Sequence, residues 1–146
     1  MTLTDILIFI IPLISGYVLS SQCPMNNGDA GKSVPSRPPS WVFGVAWPIL
    51  YILMGLAWVK LRQQKNKNLV DILFVVLVIL LNLWIYIYSC KNDKKSALYI
   101  LLLSILSALT IWGYSIGTTE MFYLTPLVVW LIFATMLNFT EVNNIN

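Results

Sequence analysis

The chain has 146 residues, of which 58% are hydrophobic and 10% are charged, and its net charge is +3. A soluble domain of this length could not bury so much apolar surface, so the composition indicates a single integral membrane domain over residues 1–146. The sequence contains no histidine, which excludes histidine metal sites and imidazole-based catalysis. The basic residues lie near the ends of apolar segments, so the charge does not indicate nucleic-acid binding.

Five continuous apolar segments approach the ~20 residues that a helix needs to cross the hydrocarbon core. Because the apolar runs do not alternate with polar residues, they favour helices over a membrane barrel. The sequence therefore predicts an all-α, multi-pass bundle of five transmembrane helices. Basic residues are almost equally divided between the two sides, so they do not fix the orientation. The predicted helices lie at residues 4–21, 41–61, 69–89, 96–114 and 121–140, with a long first loop at 22–40.

The second predicted helix concentrates its aromatic residues on one side. At 3.6 residues per turn the opposite side is aliphatic and is predicted to face lipid. The aromatic side is typical either of a ligand pocket or of ordinary core packing between helices. The aromatic arc contains Phe43, Trp47, Tyr51, Met54 and Trp58; the lipid-facing arc contains Val45, Ile49, Ile52 and Leu56.

The fourth and fifth predicted helices each carry a distinctive stripe. Small residues along one face of the fourth helix are typical of close helix packing. Trp112 lies just off that face and has two interpretations, an interfacial anchor or a pocket residue. The small-residue face contains Ala97, Ser104, Ala108 and Ser115; the stripe of the fifth helix contains Tyr123, Pro126, Trp130, Ala134, Leu137 and Glu141.

Polar residues at membrane depth are few. Asn82 and Asn138 are predicted to face the bundle interior, either as interhelical hydrogen-bonding groups or as ligand contacts. No charged residue lies at a helix centre, which argues against a proton-coupled pump, a charged ion filter or acid–base hydrolysis. Cys23 and Cys90 are far apart in sequence and form no recognised pattern, so both are predicted to be unpaired.

Two motifs in the second and fifth predicted helices resemble the translocator protein family, also called the tryptophan-rich sensory protein or peripheral-type benzodiazepine receptor family. The length and the five predicted helices match that family as well. The first motif is Pro38-Pro39-x-Trp41-Val42-Phe43-Gly44-x-x-Trp47-x-x-Leu50-Tyr51-x-Leu53-Met54-Gly55, and the second is Pro126-x-x-x-Trp130-x-x-x-Ala134-x-x-Leu137-Asn138.

The resemblance implies a membrane protein that binds tetrapyrroles, such as porphyrin or haem, and also sterols or benzodiazepine-type ligands. It implies a role in transport, sensing or stress regulation, with the lipid bilayer as a partner and with no required cofactor and no metal. The third helix lacks the small-residue stripe through which family members form dimers, so no homodimer through that helix is predicted. The ligand-binding residues that the resemblance implies are Phe43, Trp47, Tyr51, Asn82, Trp112, Trp130, Ala134, Leu137 and Asn138.

Two alternative functions remain open from the sequence. One is a light-dependent porphyrin-degrading enzyme, which the resemblance also implies, in which Trp47 and Trp130 would be electron donors or quenchers. The other is a structural or partner-binding membrane protein whose aromatic arc is only packing.

Overall fold

The computed structural model describes residues 2–22, 40–91 and 93–145, without the side chains at 20, 40–44, 89, 94 and 141–145. Every regular element in these ranges is helical, which confirms the predicted all-α class, and each helix overlaps one predicted segment. The third helix continues into a short π-helical turn. The helices are α1 (Leu3–Gln22), α2 (Ser40–Gln64), α3 (Lys67–Ile85, then Tyr86–Cys90), α4 (Lys94–Tyr114) and α5 (Glu120–Ile145).

Among the described helices, four are long and apolar enough to cross a membrane. The apolar part of α1, Leu3–Leu19, is shorter than the others. The spans supported by length and composition are Val45–Gln64, Lys67–Tyr88, Lys95–Tyr114 and Glu120–Thr140.

Side-chain caps and one glycine set the helix boundaries. The Asn66 side chain accepts a hydrogen bond from the Leu69 backbone N–H at 3.3 Å, which starts α3. Asp93 does the same for α4, and the backbone N–H of Ser96 lowers the pKa of the Asp93 carboxyl. Gly117 adopts φ of +91°, a conformation that favours glycine, in the turn between α4 and α5.

The helix faces follow the predicted pattern closely. The aromatic arc of α2 is buried at its described positions, whereas Val45, Ile49 and Ile52 are exposed where lipid would lie. The small face of α4 is also buried, as expected for close packing. At Gly55 a Cβ atom would collide with the backbone carbonyl of Phe9, so α1 and α2 pack closely there.

A charged network joins three helices at the end of the bundle where α2 ends; we call this the ion-pair end. Arg62 donates two hydrogen bonds to the Asp71 carboxylate, at 3.0 and 3.2 Å, and one to Asp5 at 3.3 Å. The Trp58 indole donates to the same Asp71 carboxylate at 2.9 Å, and Gln63 donates to Asp5 at 3.3 Å. The network therefore fixes the end of α2 against the starts of α1 and α3.

One cysteine prediction is wrong. Cys90 is disulfide-bonded, although the sequence contains no pattern that indicates a disulfide. The other cysteine of the chain, Cys23, and most of the predicted first loop lie outside the described residues. Sequence spacing failed here because it carries no information about which thiols approach in three dimensions.

We predict that Arg62→Ala lowers the free energy of unfolding by about 2–4 kcal/mol, because it leaves two carboxylates without their cation. Thermal unfolding in detergent would measure this loss. Gln64→Ala, an exposed change two residues further along α2, is the matched control and should have little effect. Equal stability of the two variants would contradict the structural role of the network.

Candidate functional site

Three helices each contribute one tryptophan to a continuous group of rings. Trp47 on α2 lies at the centre, with its ring centroid 5.7 Å from that of Trp84 on α3 and 6.1 Å from that of Trp130 on α5. The Trp47 and Trp130 rings meet edge to face at 88°. Tyr51, one turn along α2, lies 5.7 Å from Trp47. We call these four residues the ring cluster.

The ring cluster extends along α3 and α5. Tyr88 lies 4.9 Å from Trp84, and Phe133 lies 5.4 Å from Trp130, both between ring centroids. Tilted and edge-to-face pairs at such distances are favourable beyond the apolar area that they bury. The cluster therefore stabilises the packing of α2 against α3 and α5, and it also concentrates flat apolar surface at one place.

Asn138 joins the cluster through a hydrogen bond. Its side-chain oxygen accepts from the Trp84 indole N–H at 3.2 Å, and both side chains are buried. The prediction that Asn138 faces the bundle interior is confirmed. This bond connects α3 to α5, which is the interhelical role considered for Asn138 from the sequence.

Two buried hydrogen-bond donors in the ring cluster have no partner among the described residues. They are the indole N–H of Trp47 and the hydroxyl of Tyr51. Leaving a buried polar group unpaired costs roughly 1–3 kcal/mol, and buried donors are normally satisfied. The two groups lie one helical turn apart on the same face of α2, so a single acceptor-bearing molecule beside that face could reach both.

The first helix closes the site next to Tyr51. A Cβ atom placed on Gly16 would lie 2.6 Å from the Tyr51 ring. This separation is far below an ordinary contact, so only glycine leaves room for the ring in this position. Gly16 therefore determines where the Tyr51 hydroxyl lies.

The other predicted ligand-binding residues are distributed unevenly. Ala134 and Leu137 are buried on α5, whereas Asn82 is half-buried on α3. Trp112 is near the end of α4 and donates its indole N–H to the Thr125 hydroxyl at 3.0 Å. Phe43 lies in α2, but its side chain is outside the described residues.

Trp84 was not among the residues predicted from the sequence. A signal was present, because Leu77, Leu81, Trp84 and Tyr88 recur at helical spacing and all are buried. The signal was weak because α3 is apolar on nearly every face. Where lipid-facing and core-facing sides are equally apolar, periodicity does not distinguish them.

The chemistry available at the site is that of aromatic rings and neutral donors. Within the described residues no group of three or more metal-ligating side chains comes together. The described side chains around Trp47 are rings, an amide and aliphatic groups, none of which is an acid or base near neutral pH. The arrangement suits noncovalent binding of a flat molecule, and its indole rings can be oxidised.

Comparison with known proteins gives a consistent result. The model of the TspO/MBR family matches residues 6–142. Over 110 residues the chain is 31% identical to the tryptophan-rich protein TspO of Chlorobaculum tepidum, covering 71% of this chain and 70% of that protein. It is 33% identical over 118 residues to the human translocator protein, covering 75% and 70%. Protein CrtK of Rhodobacter capsulatus is 28% identical over 118 residues, covering 77% and 74%.

The family match covers most of the chain, and the identity to these relatives agrees with it. The chain belongs to the TspO/MBR family, as the motifs in α2 and α5 predicted. Together with the apolar helices, this membership makes it an integral, multi-pass membrane protein.

We predict that Gly16→Ala displaces the Tyr51 ring and lowers the free energy of unfolding by about 1–3 kcal/mol, the usual cost of overpacking. Gly113→Ala is the matched control, because a Cβ at Gly113 meets nothing within 4 Å. It should be neutral or slightly stabilising. Thermal unfolding of both variants in the same detergent measures the difference, and equal effects would contradict the close contact between α1 and Tyr51.

Proposed function

We propose that the protein is a five-span bundle, with α1 as the fifth span, and that it binds a tetrapyrrole at the ring cluster. The observation that carries this proposal is the pair of buried donors, Trp47 Nε1 and Tyr51 Oη, without partners in the described structure. A purely structural cluster gains nothing from keeping them unpaired. A bound ligand with acceptor groups would form these hydrogen bonds and offset the free energy lost by burying the donors unpaired.

The shape and chemistry of a tetrapyrrole suit this position. Its macrocycle is flat and apolar, so it can stack on indole and phenol faces and exclude water from them. Burying such a surface contributes roughly 25 cal/mol for each Å² removed from water. Its propionate carboxylates are hydrogen-bond acceptors, which the Trp47 and Tyr51 donors lack.

Binding requires the ring cluster to open. Trp47 and Trp130 contact each other directly, and so do Trp47 and Trp84. A macrocycle would replace one of these ring–ring contacts by two ring–macrocycle contacts. A macrocycle that enters beside Trp47 would therefore separate it from Trp84 or from Trp130, and α3 or α5 would adjust accordingly.

Two further functions follow from the family resemblance. Sterols and benzodiazepine-type molecules are apolar and would use the same surface. Light-dependent porphyrin degradation is favoured by one observation, the direct contact of Trp47 with Trp130. A photoexcited porphyrin beside one indole could take one electron from it, and the neighbouring indole could then reduce the indole radical that this leaves. Loss of the porphyrin absorbance under light, above a detergent control, separates degradation from binding.

We predict that Tyr51→Phe changes stability and binding in opposite directions. Removing the unpaired hydroxyl should raise the free energy of unfolding by about 1 kcal/mol, because a buried donor no longer lacks a partner. The same change should weaken protoporphyrin binding roughly fivefold to tenfold, because one hydrogen bond to the ligand is lost. Thermal unfolding and quenching of tryptophan fluorescence measure the two effects.

The matched control is Tyr99→Phe, which removes the hydroxyl of an exposed tyrosine on α4. It should change neither quantity. If Tyr51→Phe weakened both stability and binding, the hydroxyl would have a structural partner. If it raised stability and left binding unchanged, the ligand would lie elsewhere.

A further inference from the structure

A second group of aromatic and charged side chains lies at the ion-pair end, separate from the ring cluster. The Lys60 ammonium lies 5.3 Å from the ring centroid of Tyr123, and the Lys65 ammonium lies 5.4 Å from that of Tyr114. Both distances are within the range of cation–π attraction. Two cations from the end of α2 therefore lie against α4 and α5, on either side of the turn that joins those helices.

These two cations are not neutralised by carboxylates in the described structure. Neither lysine has an acidic side chain within ion-pair distance there, and the carboxylates of Asp5 and Asp71 pair with Arg62. Glu120, at the start of α5, is buried. Lys60 and Lys65 therefore present positive charge, and their ammonium groups have N–H donors available for a ligand.

Two apolar side chains in the turn between α4 and α5 and at the start of α5 are exposed. Ile116 in the turn is 60% exposed and Phe122 at the start of α5 is 67% exposed. The supported spans end at Gln64 and Tyr114 and begin again at Glu120, so this region lies at the level of the lipid headgroups. Tyrosine and lysine are residues that favour this level of a bilayer.

We propose that Lys60 and Lys65, held by Tyr123 and Tyr114, bind the headgroup of one anionic phospholipid, whose acyl chains contact Ile116 and Phe122. Two ammonium groups match the charge and hydrogen-bonding capacity of a phosphate. Basic recesses between membrane helices recognise anionic headgroups by the same chemistry. A soluble phosphate would use the lysines but would leave the apolar side chains uncovered, so the occupant is a lipid.

The opposite end of the bundle provides a comparison within the same molecule. Lys91 lies 5.6 Å from the ring centroid of Tyr86. Tyr86 belongs to the same chain segment as Lys91, so this pair connects no two helices. A lysine that contacts only a tyrosine of its own chain segment should attract anionic lipid weakly, through general surface charge.

The test is native mass spectrometry of the purified full-length protein, titrated with phosphatidylglycerol or with phosphatidylcholine of matched acyl chains. The wild type should retain one phosphatidylglycerol more tightly than phosphatidylcholine. Lys60→Gln with Lys65→Gln should weaken phosphatidylglycerol binding roughly 25-fold, at about fivefold for each lysine. Lys60→Arg with Lys65→Arg should restore it, and Lys91→Gln with Lys95→Gln, at the other end, should leave it within about twofold.

Three outcomes would overturn the proposal. The first is equal affinity for the two lipids, and the second is unchanged affinity in the double glutamine variant. The third is complete displacement of the lipid by millimolar inorganic phosphate, which would assign the lysines to a soluble anion. Because the glutamine changes are at exposed or half-exposed positions, thermal unfolding without added lipid should match the wild type, which separates loss of binding from loss of folding.

Discussion

The bundle depends on the pairing of Arg62 with Asp71 and Asp5 at the ion-pair end. The Arg62 side chain is only 8% exposed, and a charge removed from water is costly unless carboxylates pair with it. Pairing Arg62 with both carboxylates requires the end of α2 to stay aligned with the starts of α1 and α3. Trp58 reinforces that register through the same Asp71 carboxylate. Once this end is fixed, the aromatic arc of α2 faces α3 and α5.

The ring cluster lies at the other end of that arc. At the ion-pair end the polar groups of Arg62, Asp71 and Asp5 are paired, whereas the ring cluster contains buried donors that are not. There the donors are aligned on one face of α2, between α1, α3 and α5, yet Trp47 and Tyr51 have no acceptors in the described structure. Gly16 keeps the Tyr51 ring where it is, at the cost of a side chain that could have packed. The paired charges at one end and the two unpaired donors of α2 toward the other are the arrangement that the proposed binding surface requires.

The sequence predicted which residues of a helix are buried only where the two sides of that helix differ in residue type. On α2 the aromatic and aliphatic sides differ, so helical periodicity correctly predicted which residues are buried. On α3 every face is apolar, and Trp84 was missed. The contact of Arg62 with Asp71 and Asp5 depends on how three helix ends align, which no single helix encodes. The disulfide at Cys90 was missed because sequence spacing does not show which thiols approach one another.

If the Trp47 indole N–H donates a hydrogen bond to a bound ligand, nuclear magnetic resonance of the indole N–H groups will show it most directly. The chain has six tryptophans, of which Trp58, Trp84 and Trp112 already donate hydrogen bonds to protein groups. Trp58 and Trp112 are outside the ring cluster and serve as internal references. On titration with protoporphyrin the Trp47 signal, assigned with Trp47→Phe, should shift in a saturable way toward hydrogen-bonded values while those of Trp58 and Trp112 stay in place. A Trp47 signal that does not move, or a uniform shift of all three, would contradict the account.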